Sequence, residues 1–500
     1  MRRILPSLSA GLLLLPLLLP GAETIHVNNL TGSDDGDGSR EHPYATLYKA
    51  CRMVPVSGRI EVANTGKPYQ MPYKSADVSQ SYGYRLFRGG TLENPLIVEG
   101  NGATISGLAI VPAEAWKAVP ETRLFRLPFY PMSNRLKNDK KIQHWLEVPR
   151  IWFVDGGAAP NCRDREELLK TPGGFQWNKA EKLVYFHLPE GKRLEELRIE
   201  LPANYGFYIH ASHTIVRNFN CIFSVNDGFD ADGSPQNSSY INCLAYDNCG
   251  QGFSCHRTSS IRYIGCGAIR CASSNVCNVN SSHAEYVDCV FLDNAFESNV
   301  SLYNEATARF VNCFFSGGNS EEPIVQEHAS QFTFLHCVIQ GSRDLPLLRC
   351  RSGSVNFYQC TLSQARYLAD FSAGWSRTCA SMKRCVVSGM KNGIAKLPAT
   401  PYPRLQFADN RFSPAFYIYE KRAEKIGGPV LRKLRVDADS RGELIRPGGL
   451  RNAECTGSDG YGAGKLSPTV RKVYDRLVNF TATPAGLVPA GKAGAPSGAL

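Results

Sequence analysis

The 500-residue sequence lacks the features that would place it at once. No apolar run is long enough to cross a bilayer. The longest, Leu12 to Leu19, falls well short of the ~20 residues a spanning helix needs. No Lys/Arg run stands out either, although the net charge is +11. A dispersed basic surplus favours anionic partners such as an acidic polysaccharide, and nucleic acid is not expected. The cysteines include no C-x-x-C pair, which argues against a structural zinc site. From residue 201 on, apolar residues show neither helical spacing nor a leucine-rich pattern, so strands are expected there.

What is present begins with a processing signal. Arg2 and Arg3 precede the short apolar run, and Pro20-Gly21-Ala22 closes it. This order reads as a secretory signal peptide cleaved after Ala22, so the mature chain should be secreted, periplasmic or held at a cell surface. It should have no membrane span and act as a monomer. Hydrophobic residues make up 43% of the chain, enough for a sizeable core. Seventeen cysteines would ordinarily mean disulfides in an exported protein. Their spacing says otherwise.

Cysteines fall at 221, 243, 266, 289, 313, 337, 360 and 385, at intervals of 22 to 25 residues. Their context repeats as Tyr240-Ile241-Asn242-Cys243, Tyr263-Ile264-Gly265-Cys266, Tyr286-Val287-Asp288-Cys289 and Phe310-Val311-Asn312-Cys313. A fixed period of this size is the mark of a solenoid. Its residues are β-branched, aromatic and Gly/Asn-rich, so each coil is built of strands, and stacked coils share one core. The eight cysteines then form an inward ladder, most of them free thiols buried in the core. Cys249, Cys255, Cys271 and Cys277 lie off it, and a Cys249–Cys271 bridge between adjacent coils is one pairing this spacing allows. Asn226, Asn248 and Asn294 each follow a ladder cysteine by five residues and read as an internal amide ladder at a turn.

Residues 27–50 run Val27-Asn28, Gly32-Ser33-Asp34-Asp35-Gly36-Asp37-Gly38, His42-Pro43-Tyr44-Ala45-Thr46-Leu47 and on to Ala50. This stretch resembles the opening segment of secreted right-handed parallel β-helix proteins, the pectate-lyase-like carbohydrate-active superfamily. Pro95 to Gly107 resembles their first full coil. The acidic turn at 32–38 has the composition for Ca²⁺ but not the ligand spacing of an EF-hand loop. Residues 111–200 resemble a β-rich insertion found in such enzymes, which can wall a cleft. Residues 436–463 resemble their closing segment. The resemblance implies an all-β, right-handed parallel β-helix divided as follows: signal peptide 1–22, cap and first coils 23–110, insertion 111–200, regular helix 201–395, C-terminal cap 396–483 and a disordered tail 484–500.

Three copies of one phrase mark the candidate site: Gly206-Phe207-Tyr208-Ile209-His210, Gly228-Phe229-Asp230-Ala231-Asp232 and Gly252-Phe253-Ser254-Cys255-His256. Residues two apart on a strand face the same way. Phe207, Phe229, Phe253, Ile209, Ala231 and Cys255 should therefore point inward. Tyr208, Asp230 and Ser254 should form one outward column, and His210, Asp232 and His256 another. Cys277 and Val279 interrupt this polar face, while Ser301 with Tyr303, and Val325 with Glu327, should extend it. Acids, histidines and a tyrosine on one face suit proton transfer.

Three chemistries are open. A lyase acting on a uronate polysaccharide needs a base (His256, His210 or Tyr208) and a cation for the substrate carboxylate, either Arg257 or a Ca²⁺ held by Asp230 and Asp232. Ser254, Tyr303 and Glu327 would line the substrate. An inverting glycosidase would instead pair Asp230 with Asp232. Asn226-Asp227-Gly228-Phe229-Asp230 is similar to the Asn-Thr-Asp-Gly-x-Asp segment of polygalacturonases with one residue fewer, and the segment is similar to the Asp-Pro-His-Asp site of mannuronan epimerases, from which Ala231 and a shortened motif depart. The later polygalacturonase motifs are not found. The third reading is a non-catalytic polysaccharide-binding or adhesive β-helix.

Overall fold

The computed structural model describes residues 23–74, 82–129, 152–178, 180–294, 298–317, 325–342, 344–370 and 379–390, strand residues 395–396, 404–408, 411–413, 417–420 and 422–425, and residues 466–490. The signal peptide and the closing segment at 436–463 lie outside these.

Three long sheets of parallel strands wrap into a β-solenoid, two of twelve strands and one of eleven. The first sheet includes Ser238–Ile241, Ser260–Ile264 and His283–Val287. The third includes Asn220–Ile222, Leu244–Tyr246 and Gly267–Ile269. Between them lies the site sheet. Its strands include β1 (Tyr84–Leu86), β2 (Phe207–Ile209), β3 (Phe229–Ala231), β4 (Phe253–Cys255), β5 (Val276–Asn278) and β6 (Val300–Tyr303). Phe207 pairs with Phe229, and Phe229 with Phe253, so the three Gly-Phe phrases stack on consecutive coils as expected.

Stacking like on like fills the interior. Tyr240, Tyr263, Tyr286, Phe310, Phe334 and Phe357 form a continuous file of near-parallel rings, with centroids 4.5 to 5.7 Å apart. These separations match the rung spacing of a parallel sheet, about 4.8 Å, so one backbone repeat sets both contacts.

Cysteines occupy the corner that follows this file. Each is preceded by a left-handed residue: Asn242, Gly265, Asp288, Asn312, His336, Gln359 and Arg384 have φ between 52° and 60°. Behind that turn the thiol points inward and donates to a carbonyl of the preceding coil, as Cys289 does to Tyr263 at 3.4 Å and Cys313 to Tyr286 at 3.4 Å. The ladder has seven members rather than eight. Cys221 pairs with Ala245 on the third sheet, and its coil places Phe219 after the left-handed Asn218. Cys249 and Cys271 are buried free thiols and are not bridged. Burial pushes both of these thiols up to about 12. The internal amide contact is also elsewhere. Asn275 Nδ2 donates to Asn299 Oδ1 at 2.7 Å, whereas Asn248 caps Ser224 N at 2.8 Å.

The insertion forms two small antiparallel sheets around Trp116, Trp152, Phe175 and Phe186. It packs on the solenoid at Ala203, Cys249 and Ala272, beside the turns that lead into the site sheet. Toward the C-terminus the parallel sheets run on through Arg404–Ala408 and Arg411–Ser413. The helix Pro468–Val478 then lies along the outside of the third sheet. Its Val470, Val473 and Leu477 cover Leu244, Tyr246, Ile269 and Val290. This helix straps the flank of the stack. The chain stays ordered past 484, because Gly486–Pro489 pairs with Phe480–Thr483. Among the described residues, no helix is long and apolar enough to cross a membrane.

Candidate functional site

The outward positions of β2, β3 and β4 converge as the alternation requires. Tyr208, Asp230 and Ser254 stand in register. The ladder continues one residue further, since His210 N donates to Leu86 O, Asp232 N to Ile209 O and His256 N to Ala231 O. His210, Asp232 and His256 therefore occupy successive rungs.

These two columns do not act as a single group. Asp232 turns away to Arg257, whose Nε donates to Asp232 Oδ1 at 2.5 Å. Burial works against ionisation of Asp232, but this guanidinium overcomes it and holds the carboxyl below its usual range. Asp230 finds a different partner, Asp227, which sits in the turn before β3. Ser254 Oγ lies 2.7 Å from Asp230 Oδ1 and 2.9 Å from Asp227 Oδ2. His256 Nε2 faces the same two oxygens at 3.5 and 3.8 Å.

A hydroxyl has one proton to give. Ser254 can satisfy both short contacts only when one carboxyl carries a proton and donates to it. Burial, only partly offset by His256, raises Asp230 to about 7, so it carries that proton below neutral pH and is a carboxylate above. Burial alone would depress His256, but the carboxylates of Asp230 and Asp227 reverse this and raise it to about 9. The two acids are 3% and 2% exposed, and the His256 side chain is 26% exposed. The imidazole is thus the part of the cluster that reaches the surface.

The other expected site residues are placed as follows. Tyr208 is buried with its hydroxyl unpartnered. Burial, then Asp227 and Asp230, raise it well above its ordinary value, so it stays a neutral phenol. Burial lowers His210, which stacks on Phe87. Ser254 is fully buried and bridges acids instead of lining an open surface. Cys277 and Ser301 continue the Ser254 column, so Tyr303, two residues after Ser301, stands in the His256 column two rungs of ~4.8 Å away. Glu327 is out of phase. It pairs with Leu302 and Cys350, and His328 pairs with Tyr303, because the coil between Val300 and Val325 is one residue longer than a 24-residue step.

Asp227, Asp230 and His256 bring one donor atom each within 4.8 Å of one another, a set that could hold a metal ion. Calcium shared by Asp230 and Asp232 is not what this geometry offers. Asp232 is engaged by Arg257, and the set that does converge contains an imidazole, whereas Ca²⁺ prefers oxygen donors throughout. Asp227 escaped the alternation because it lies in a turn. Its signal in the sequence was an acid directly before the second Gly-Phe, where the other copies have Tyr205 and Gln251.

The cluster makes stability depend on pH. Folding raises both Asp230 and His256, so the folded state binds protons more tightly than the unfolded one. The His256 contribution is full below pH 6.5 and is lost as pH rises through about 9, roughly 3 kcal/mol in all. Urea midpoints should therefore fall between pH 6.5 and 9. The double variant His256→Gln with Asp230→Asn should flatten that decline, and an unchanged decline in it would place the cause elsewhere.

No family model matches the chain, and no curated protein matches it. Fourteen solved chains are similar. One is a rhamnogalacturonan lyase, 12% identical, covering 81% of this chain and 90% of its own, with a TM-score of 0.44. A second is pectate lyase Pel9A, 12% identical, covering 78% and 79%, with a TM-score of 0.44. A third is a glycoside hydrolase, 12% identical, covering 84% and 100%, with a TM-score of 0.41.

Proposed function

We propose that the protein cleaves a uronate-containing polysaccharide by β-elimination, with His256 as the proton-transferring group. One observation carries this reading: in a cluster of buried acids, His256 alone presents an accessible titrating edge. Its Nε2 is turned to Asp227 and Asp230, which orient the ring and favour its charged form. Nδ1 is then the nitrogen left for substrate, and in the neutral ring it holds a lone pair that can take the proton beside the uronate carboxylate. Arg257 follows directly in the chain. Its side chain is 65% exposed and can neutralise that carboxylate, which makes the proton more acidic.

A glycosidase would need two carboxyls in contact with sugar, yet Asp227 and Asp230 are buried and Asp232 is held by Arg257. The test is a screen over acidic polysaccharides for the ultraviolet absorbance of an unsaturated product. The rate should climb with pH and level off above about 9, where His256 is neutral. Reducing ends without absorbance would replace elimination with hydrolysis. Retention on the polymer with neither product would make the protein a binder.

A further inference from the structure

Phe87 follows β1 and occupies the outward row that continues as His210, Asp232 and His256. Three rungs separate it from His256, about 14 Å along the solenoid axis. It is 69% exposed. It is nevertheless fixed, because its ring lies parallel to the His210 imidazole at 4.8 Å with an interplanar angle of 8°. One face is covered and the other is open to solvent. A large apolar ring held rigid in water is costly to maintain, and it suits the apolar face of a flat ligand with little further loss of entropy.

Arg85 stands two residues earlier, in register with Tyr208. Its guanidinium lies 5.6 Å from the Tyr205 ring centroid and 5.8 Å from that of Tyr208. Its Nε is buried and makes no hydrogen bond, and it has no ion pair among the described residues. Arg257, by contrast, already holds Asp232 through its Nε. Arg85 is instead positioned by two aromatic rings and left without an acid, the state of a cation awaiting an anion.

We propose that Phe87 and Arg85 form a subsite for one uronate residue of an acidic polysaccharide. The sugar ring stacks on Phe87, and its carboxylate is met by Arg85. The inference rests on the acidic-polysaccharide reading above and extends it. The subsite and His256 share one outward row, so the polymer lies along the solenoid axis and spans several residues on the side of His256 toward the N-terminal coils.

Affinity electrophoresis of the full chain through gels containing polygalacturonate, alginate or hyaluronate tests this without requiring turnover. Wild type should be retarded by at least one of these polymers. Phe87→Ala and Arg85→Gln should each weaken that binding about tenfold, as expected for a lost aromatic stack or a lost charge-assisted contact. Phe87→Tyr should retain it. Leu92→Ala removes another side chain that is 69% exposed, away from this row, and should change nothing. On the same polymer with its carboxylates reduced to alcohols, Arg85→Gln should match wild type while Phe87→Ala still binds weakly.

The proposal is overturned if no acidic polymer retards wild type, if Phe87→Ala behaves as Leu92→Ala does, or if the Arg85→Gln deficit persists on the reduced polymer. If both variants lose binding but no unsaturated product forms with wild type, the elimination reading falls and the subsite stands. If elimination proceeds with an unchanged KM in both variants, the subsite falls alone.

Discussion

His256→Ala is expected to lower turnover of an acidic polysaccharide by roughly two to four orders of magnitude, the usual loss when a positioned acid or base is removed. The fold should survive. The side chain lies on the outer face, with 26% exposure, and its removal leaves the stacked Phe229–Phe253 pair beneath it intact. With the imidazole gone, Asp227 and Asp230 lose their cation, so a proton shared through Ser254 becomes their only relief. Asp230 should accordingly remain neutral to higher pH, and the variant's residual rate should lose the rise toward pH 9. His256→Gln keeps the shape of the side chain but cannot take a proton, so its rate should match the alanine variant. Full activity in either variant would remove His256 from the chemistry. A uniform loss of folded protein would show that the residue was structural.

The same cluster shows where sequence reading succeeds and where it stops. Alternation along a strand is set by backbone geometry, so the inward Phe207, Phe229 and Phe253 and the outward Tyr208, Asp230 and Ser254 were legible from their spacing. Turns obey no such rule. Asp227 sits in one, so alternation could not join it to Asp230 although the segment likeness at 226–230 contained both, while Asp232 had the right parity and the wrong neighbour.

Register is harder still. Cys221 and Cys243 differ by 22 residues, as do Gly206 and Gly228, yet only the second pair stacks. The turn after β3, from Asp232 to Asn237, is two residues longer than the one after β2, from His210 to His213. A two-residue slip preserves parity, so Cys221 remains buried and inward one step off its supposed column. At Glu327 the slip is a single residue, which reverses parity and moves it into register with Leu302. Period alone sets the architecture, but each turn length must be known before a column can be trusted.

Cys289→Phe should be the most damaging core substitution in the stack, costing roughly 3 kcal/mol, the upper part of the range for overpacking a filled interior. Cys289 is fully buried, with Cys266 and Cys313 directly below and above it in the ladder. Parallel pairing fixes the rung spacing at about 4.8 Å, so a ring cannot enter this corner unless coils separate or the Tyr263–Tyr286 stack shifts from its 4.5 Å contact. The chain contains its own control. Phe219 occupies the corresponding corner of an earlier coil, and room for it comes from Gly100, where an added Cβ would lie 2.6 Å from the ring. The glycines of the neighbouring rung, Gly265 and Gly267, are aimed elsewhere, at Asn242 and at Leu477. Cys289→Ser should cost far less, about 1 kcal/mol, because its hydroxyl can donate to the Tyr263 carbonyl that the thiol now reaches at 3.4 Å. Urea midpoints should therefore rank wild type, then serine, then phenylalanine. Gly100→Ala should destabilise as phenylalanine does at 289, by forcing the same ring against the same wall. If Cys289→Phe unfolded at the wild-type midpoint, the corner would not be the close-packed element that holds successive coils in step.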